Sequence, residues 1–247
     1  MDMTLNPRSF GLMIRRKIED TYRALVWRLT VWRFAFATRN IVTLDDALEL
    51  AYSEPYNLLI TPNQIRNEVQ ALCEIVRGRR PRILLEIGTE RGGSFFLFSR
   101  TAAPDALLIS VDLPKHDPKR RAFCKYLRVK GQRVSVITAD SHAKSTVELV
   151  SRVLGDCKID FLFIDGDHSY EGVKQDFENY VMLLNSPGLV AFHDINPDGW
   201  TKFGKRTSSN SGEVYRFWAE VKAKYSHCEC VDDPDEDGFG IGILFID

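Results

Sequence analysis

Two short runs concentrate side chains able to hold a cation or move a proton. They are FIDGDHSYEG, beginning at Phe163, and VAFHDINPD, beginning at Val190. Each closes an apolar stretch, so Asp165, Asp167, His168, His193 and Asp194 fall at the ends of two neighbouring strands. A single Asp or His is ordinarily solvated or caps a helix. Five together at adjacent strand ends would be costly to bury unless a cation or mutual pairing balanced them. An imidazole titrates near neutrality, which suits His168 to proton transfer. Upstream, three further acids stand at three successive strand ends: Glu86 before the turn GTERGGS, Asp112 in SVDLP and Asp140 in TADSH. Asp112 lies where an acid about 20 residues beyond a glycine-rich turn accepts ribose hydroxyls in nucleotide-binding sheets. Asp140 and Ser141 are placed to meet an adenine amino group.

The glycines Gly88, Gly92 and Gly93 permit a tight turn and a close approach to a ligand. Their spacing is not G-x-G-x-x-G, which excludes the dinucleotide fingerprint, and no lysine follows to grip a phosphate.

These groups require a scaffold of alternating strands and helices. Strand signals cover residues 82–88, 107–111, 134–138, 161–164 and 189–192; helical periods cover 65–77, 119–129, 141–154 and 171–184. Asp117-Pro118 is a suitable start for the helix at 119–129. A helix at 213–225 with an apolar face of Val214, Phe217, Trp218 and Val221 is followed by runs at 227–231 and 240–245, joined by DDPDEDG, a hairpin signal. The expected fold is α/β: a Rossmann-like doubly wound sheet, mostly parallel, with a C-terminal antiparallel hairpin and an N-terminal helical extension. Residues 1–60 are read as the extension and 61–247 as the catalytic domain. In such sheets ligands bind outside the carboxyl ends of the strands.

Composition narrows the class. A chain of 247 residues, 44% hydrophobic and 27% charged, has a formal net charge of −1, so no overall field draws it to nucleic acid or membrane. Five scattered cysteines argue for free thiols in a reducing cytoplasm, and no apolar run reaches the ~20 residues of a membrane span. Residues 1–40 are locally basic, with eight Lys/Arg against three acids and with Trp27, Trp32, Phe34 and Phe36 interleaved. Such a helix lies on an anionic membrane surface or a partner, or packs on its own domain or a second subunit. The long polar segment after Asp194 is a lid over the acceptor or a surface loop.

The runs EIGTERGGS, SVDLP, TADSH and FIDGDHSYEGVKQDFE resemble those of class I S-adenosylmethionine (SAM)-dependent methyltransferases over residues 60–247. The nearest branch is the metal-dependent one containing catechol O-methyltransferase, macrolide-sugar O-methyltransferases and cephalosporin-hydroxylase-like proteins. By that resemblance Glu86 and the loop of Gly88, Thr89, Gly92, Gly93 and Ser94 hold the methionine end of SAM, Asp112 the ribose, and Asp140 and Ser141 the adenine, with Asp165 also beside the cofactor. The first acid of the fourth-strand motif and a pair 28 residues on bind a divalent cation, which assigns Asp165, His193 and Asp194 as ligands. The usual residue at 193 is an acid; a histidine there admits Mn2+, Fe2+ or Co2+ beside Mg2+, or withdraws His193 to a supporting position. His168 stands where the family places the group that takes the acceptor's proton.

The implied activity is metal-dependent O-methylation of a hydroxyl on a sugar, glycoside or related small molecule, by a cytoplasmic homo-oligomer. Two other readings are compatible with parts of the chain. Asp165, His168 and His193 supply the two histidines and carboxylate of a non-haem iron oxygenase. A SAM-fold binding protein without catalysis, anchored through residues 1–40, is the other.

Overall fold

Residues 7–113, 123–124 and 126–247 are described by the computed structural model. The helix expected at 119–129, with its start at Asp117-Pro118, lies largely outside the described residues; Phe123 and Cys124 are helical. The chain divides into two compact units between Val42 and Thr43. The first holds one long helix, α1 (Pro7–Ala37), and a single 3-10 turn, Thr38–Asn40.

The second unit opens with helices α2 (Leu44–Tyr52) and α3 (Asn57–Ile60), so residues 43–60 belong with the sheet rather than with the N-terminal helix. Thr43 shows why a helix begins there. Its hydroxyl accepts from the Asp46 backbone N–H at 3.1 Å while the Asp46 carboxylate accepts from the Thr43 N–H at 2.8 Å, a reciprocal cap typically worth ~1 kcal/mol. Leu44, Ala47, Leu48 and Ala51 then recur at helical spacing and are all buried.

Downstream the expected alternation appears: α4 (Arg66–Arg79), β1 (Ile83–Ile87), α5 (Gly93–Thr101), β2 (Leu107–Asp112), β3 (Arg133–Thr138), α6 (Lys144–Leu154), β4 (Ile159–Ile164), α7 (Tyr170–Val181), β5 (Leu184–His193), α8 (Gly199–Phe203), α9 (Val214–Val221), β6 (Ser226–Cys230) and β7 (Ile241–Ile246). The helical period read through Leu184 stops earlier. α7 ends at Val181, and Leu184 instead pairs with Ile159 as the first residue of β5.

Seven strands form one sheet in the order β3-β2-β1-β4-β5-β7-β6. β1 to β5 are parallel, and β7 runs antiparallel to both β5 and β6. The C-terminal hairpin therefore meets the parallel sheet through its second strand. Central strands are apolar on both faces, and each face has its own helices. On one, Ile87, Val111, Ile164 and Phe192 pack with Val173, Phe177, Phe217 and Trp218 of α7 and α9. On the other, Phe98 of α5 meets Phe161 and Phe163 edge-on at 5.1 and 5.0 Å. Burying each such ring stabilises the fold by ~1.5–3 kcal/mol.

The register decides where the chemistry falls. Ile87 pairs with Val111 and with Ile164, and Ile164 pairs with Phe192. The residues that follow these four (Gly88, Asp112, Asp165 and His193) therefore emerge side by side at one edge.

Candidate active site

One cleft of about 1110 Å³ opens along that edge. Its walls include Gly88, Thr89, Gly93, Ser94, Asp112, Asp140 and Ser141 on one side, and Asp165, His168, His193 and Asp194 on the other. Most of the positions singled out in the sequence thus share a single cavity. Glu86 and Gly92 do not line it.

Glu86 is fully buried beneath the glycine turn and accepts a hydrogen bond from the Ser94 hydroxyl. It supports the loop from below rather than meeting a ligand. Burial raises its carboxyl to about 8, against the lowering effect of the Ser94 and Thr89 hydroxyls. A carboxyl held above its unfolded value binds its proton more tightly in the fold, so its contribution is complete below pH ~4.5 and is lost as pH rises through about 8. Stability should fall by about 1.4 kcal/mol per pH unit in that window from this group alone. Chemical denaturation across pH should show a shallower fall in Glu86→Gln; parallel curves for the two proteins would refute the assignment.

Gly88 holds φ +84, and a Cβ there would lie 1.9 Å from the Asp165 carbonyl oxygen. This glycine lets the end of β1 pass against the end of β4. Gly93 plays the same part for α5, where a Cβ would lie 2.1 Å from the Ile60 carbonyl. The Asp112 carboxylate accepts from the backbone N–H groups of Glu90 and Leu113, at 2.8 and 2.7 Å, which fixes its orientation at the cleft wall. Asp140 is exposed and accepts from the His142 N–H at 2.9 Å.

Across the cleft, ligand atoms of Asp165, His168 and Asp194 converge within 4.8 Å of one another. His168 Nδ1 lies 2.8 Å from the Asn210 carbonyl oxygen, which can only accept, so Nδ1 carries a proton. Nε2 is left 3.5 Å from Asp165 Oδ1. His193 Nδ1 is instead at hydrogen-bond distance, 3.1 Å, from Asp165 Oδ1, and its buried Nε2 has no partner. The sequence reading grouped Asp165, His193 and Asp194; the set that converges among the described residues contains His168 in place of His193. His193 stands beside that set, its Nδ1 3.5 Å from Asp194 Oδ1. Two carboxylates with one imidazole suit a divalent cation of the Mg2+ to Mn2+ or Fe2+ range.

Residues 85–195 match the family model described as a methyltransferase domain. That match covers just under half of the chain. The chain's fold is shared with an O-methyltransferase from Bacillus cereus in complex with SAH, at a TM-score of 0.59 and 14% identity over 86% of this chain and 96% of that one. It is shared also with the O-methyltransferase TomG of Streptomyces achromogenes, involved in tomaymycin synthesis and solved in complex with SAM. There the TM-score is 0.53 and identity 17%, over 85% of this chain and 93% of TomG. An uncharacterised protein of Sinorhizobium fredii is 28% identical over 154 residues, which is 60% of this chain. The chain spans 16% of that relative's length.

The groups of the converging cluster act on one another's charge. Burial by itself would lower the His168 imidazole, but the hydrogen bond and charge of Asp165, with the charge of Asp194, raise it to about 9. Burial would raise Asp165, yet the charges and hydrogen bonds of His193 and His168 bring it down to about 2. Burial raises Asp194. With nothing else to balance the carboxylates, His168 stays protonated at neutral pH. Two residues here, Asp194 (φ +62) and Phe239 (φ +60), occupy the left-handed region, the kind of local strain that a rigid surrounding structure sustains at functional sites.

Several residues that support the cleft are not among those the sequence singles out for a site. Gln64 is almost wholly buried, lines the cleft and donates through Nε2 to Asp165 Oδ2 at 2.7 Å. Glu68 on α4 accepts from the backbone N–H of Gly240 at 2.9 Å and of Asp232 at 3.2 Å, holding the β6–β7 turn that brings Phe239 to the cleft. Asp176 on α7 is fully buried, 3.4 Å from His142 Nε2, and Tyr180 donates to the Ser141 carbonyl at 2.9 Å. These two support the loop after β3 from below. Glu68 and Asp176 do carry a signal in hindsight: each is an acid at the apolar phase of its helix, beside Val69 and Leu72 or between Val173 and Phe177. In the segment after Asp194, Ser208, Ser209, Asn210, Gly212 and Glu213 line the cleft, while Trp200 and Phe203 are exposed.

Proposed function

We propose that the chain is a SAM-dependent O-methyltransferase that works with a divalent cation held by Asp165 and Asp194 and acts on a hydroxyl of a sugar, glycoside or related small molecule. One observation carries this reading. A single cleft contains both the strand-end acids suited to a nucleoside, Asp112 and Asp140, and a cluster of two carboxylates and an imidazole suited to activating a hydroxyl.

SAM supplies a methyl group on a sulfonium, open to in-line attack by an oxygen. A cation at Asp165 and Asp194 supplies a fixed positive charge that lowers the pKa of a hydroxyl and orients it. The protein's own residues do the rest. Asp112 accepts from the ribose hydroxyls with a carboxylate already oriented by two backbone N–H groups, so little ordering remains to be done on binding. Asp140 and Ser141 meet the adenine. Gln64 and His193 hold the Asp165 carboxylate between them, as partners of a metal-binding carboxylate do. His168 keeps its Nδ1 proton on Asn210 and offers Nε2 to the acceptor's proton once the carboxylates' charge is balanced. The polar stretch 208–213 forms the wall nearest His168, with a Cβ on Gly212 falling 2.2 Å from the His168 carbonyl oxygen, and is the surface against which an acceptor rich in hydroxyls would lie.

The binding half of this reading is tested by calorimetry. Asp112→Ala should weaken SAM affinity by the ~1.5–3 kcal/mol of hydrogen bonds to a charged group, roughly 10- to 150-fold. Unchanged affinity would remove the nucleoside assignment. The acceptor class is tested by mass spectrometry of candidate glycans incubated with SAM and Mg2+ or Mn2+, where a gain of one methyl is expected.

A further inference from the structure

The methyltransferase chemistry uses nothing of the first compact unit, and that unit carries an unusual surface. On α1 the side chains of Tyr22, Leu25, Leu29, Trp32 and Phe36 are all more than half exposed, with Tyr22 and Trp32 at 67%. At 3.6 residues per turn these five fall within an arc of roughly 80°. They therefore form one continuous stripe, about 21 Å long at 1.5 Å per residue, with Trp32 and Phe36 stacked at 6.2 Å. Scattered exposed apolar residues are ordinary; a contiguous stripe of large ones marks a surface that is covered in use.

The charges bordering the stripe identify its cover. The same helical phase sets Lys17, Arg28 and Arg39 along one border and Arg15 and Arg33 along the other, all exposed. Arg39 lies with its guanidinium carbon 5.9 Å from the Phe36 ring centre. Residues 1–40 hold eight Lys/Arg against three acids, a net of +5. A second copy packed on this stripe would bring two such cationic borders together, which association disfavours. Nucleic acid would meet the cations but leave five large apolar side chains without a partner. A bilayer surface of anionic headgroups satisfies both. The apolar stripe sinks to the acyl boundary, the rings of Tyr22 and Trp32 sit at headgroup depth, and the flanking cations reach the phosphates. The helix is not long and apolar enough to cross a membrane, so it lies in the surface.

We infer that α1 is an interfacial anchor that binds the surface of an anionic phospholipid membrane through the Tyr22–Phe36 stripe and its cationic borders.

The test uses the full chain and vesicles of phosphatidylcholine, with and without phosphatidylserine. Co-sedimentation should be strong only with phosphatidylserine. It should fall steeply as salt rises from about 0.1 M to about 1 M, which shortens the screening length from about 10 to about 3 Å. Arg28→Glu/Arg33→Glu should lower the partition by at least about 25-fold, near fivefold for each cation removed. Leu29→Asp should lower it by about 10-fold or more. All three positions are exposed, so unchanged thermal unfolding certifies the variants. As a second readout, acyl chains labelled with bromine should quench the fluorescence of the wild type, and quenching should be weaker in Trp32→Phe, which still binds. Equal binding to neutral and anionic vesicles, or no binding to either, would overturn the proposal. So would light scattering that finds an oligomer dissociated by Leu29→Asp without vesicle binding, because the stripe would then be an interface between copies.

Discussion

Stripping divalent cations with a chelator is expected to abolish methyl transfer while leaving SAM bound, because the cofactor's contacts and the carboxylates lie on different strand ends of one cleft. His168→Ala should lower turnover by ~10²-fold or more with little loss of SAM affinity, since His168 stands across the cleft from Asp112 and Asp140. The two experiments separate the parts. Full turnover in chelator would end the cation's role and leave His168 as the sole activating group. His193 supplies the finer discrimination. Its Nδ1 is turned to Asp165 Oδ1 at 3.1 Å, as expected of a residue that orients a ligand carboxylate. His193→Asp should therefore lower activity with every cation and change the preference among them little. A shift from Mn2+ toward Mg2+ with activity retained would mean that His193 binds the cation itself.

Gly88→Ala should be among the most damaging single changes in the fold. The added Cβ would stand 1.9 Å from the Asp165 carbonyl oxygen and 2.9 Å from Gly166 Cα, at a φ of +84 that side chains rarely adopt. Backbone is not free to yield as a flexible side chain does. Gly88 also donates its N–H to the Val111 carbonyl at 2.9 Å, so the strain reaches both the end of β2 that carries Asp112 and the end of β4 that leads to Asp165. The strained φ alone costs ~1–3 kcal/mol, and the clash adds to it. A total of about 3 kcal/mol or more would lower the melting temperature by roughly 6–12 °C in a domain of this size. Gly155→Ala is the control: its φ is +61, yet a Cβ there meets nothing within 4 Å, so only the ~1–3 kcal/mol of the strained backbone is expected. Equal melting temperatures for the two variants would show that the β1–β4 crossing tolerates a side chain and that the packing argument is wrong.

What could be read in advance was local. The strands ending at Ile87, Asp112, Ile164 and His193 announce themselves as short apolar runs closed by a polar residue, because a central parallel strand must be apolar on both faces. Val214, Phe217, Trp218 and Val221 gave the buried face of α9 by spacing alone. Asp112, Asp165, His168 and Asp194 were legible for the same reason: a strand's end in sequence is also its end in space, and the register then sets those ends level.

Tertiary structure decided whatever depended on which distant segments meet. The alternating pattern does not say that β7, not β6, joins β5, since both strands of a hairpin are open to pairing until the sheet closes. Nor does it say that α2 packs with the sheet domain. Gln64 reaches Asp165 across 101 residues of chain, and no periodicity near Gln64 records that contact. Glu86 looked like a ligand-facing acid by position, but the pleat turns its side chain under the loop, where burial makes it a support. Whether His168 or His193 joins the two carboxylates is finer still. His168 follows Asp165 by three residues and His193 directly precedes Asp194, and the choice rests on which ring nitrogen faces Asp165 and which faces the Asn210 carbonyl. That orientation is a property of the packed cleft, because a side chain's rotamer is selected by neighbours that only the folded chain supplies.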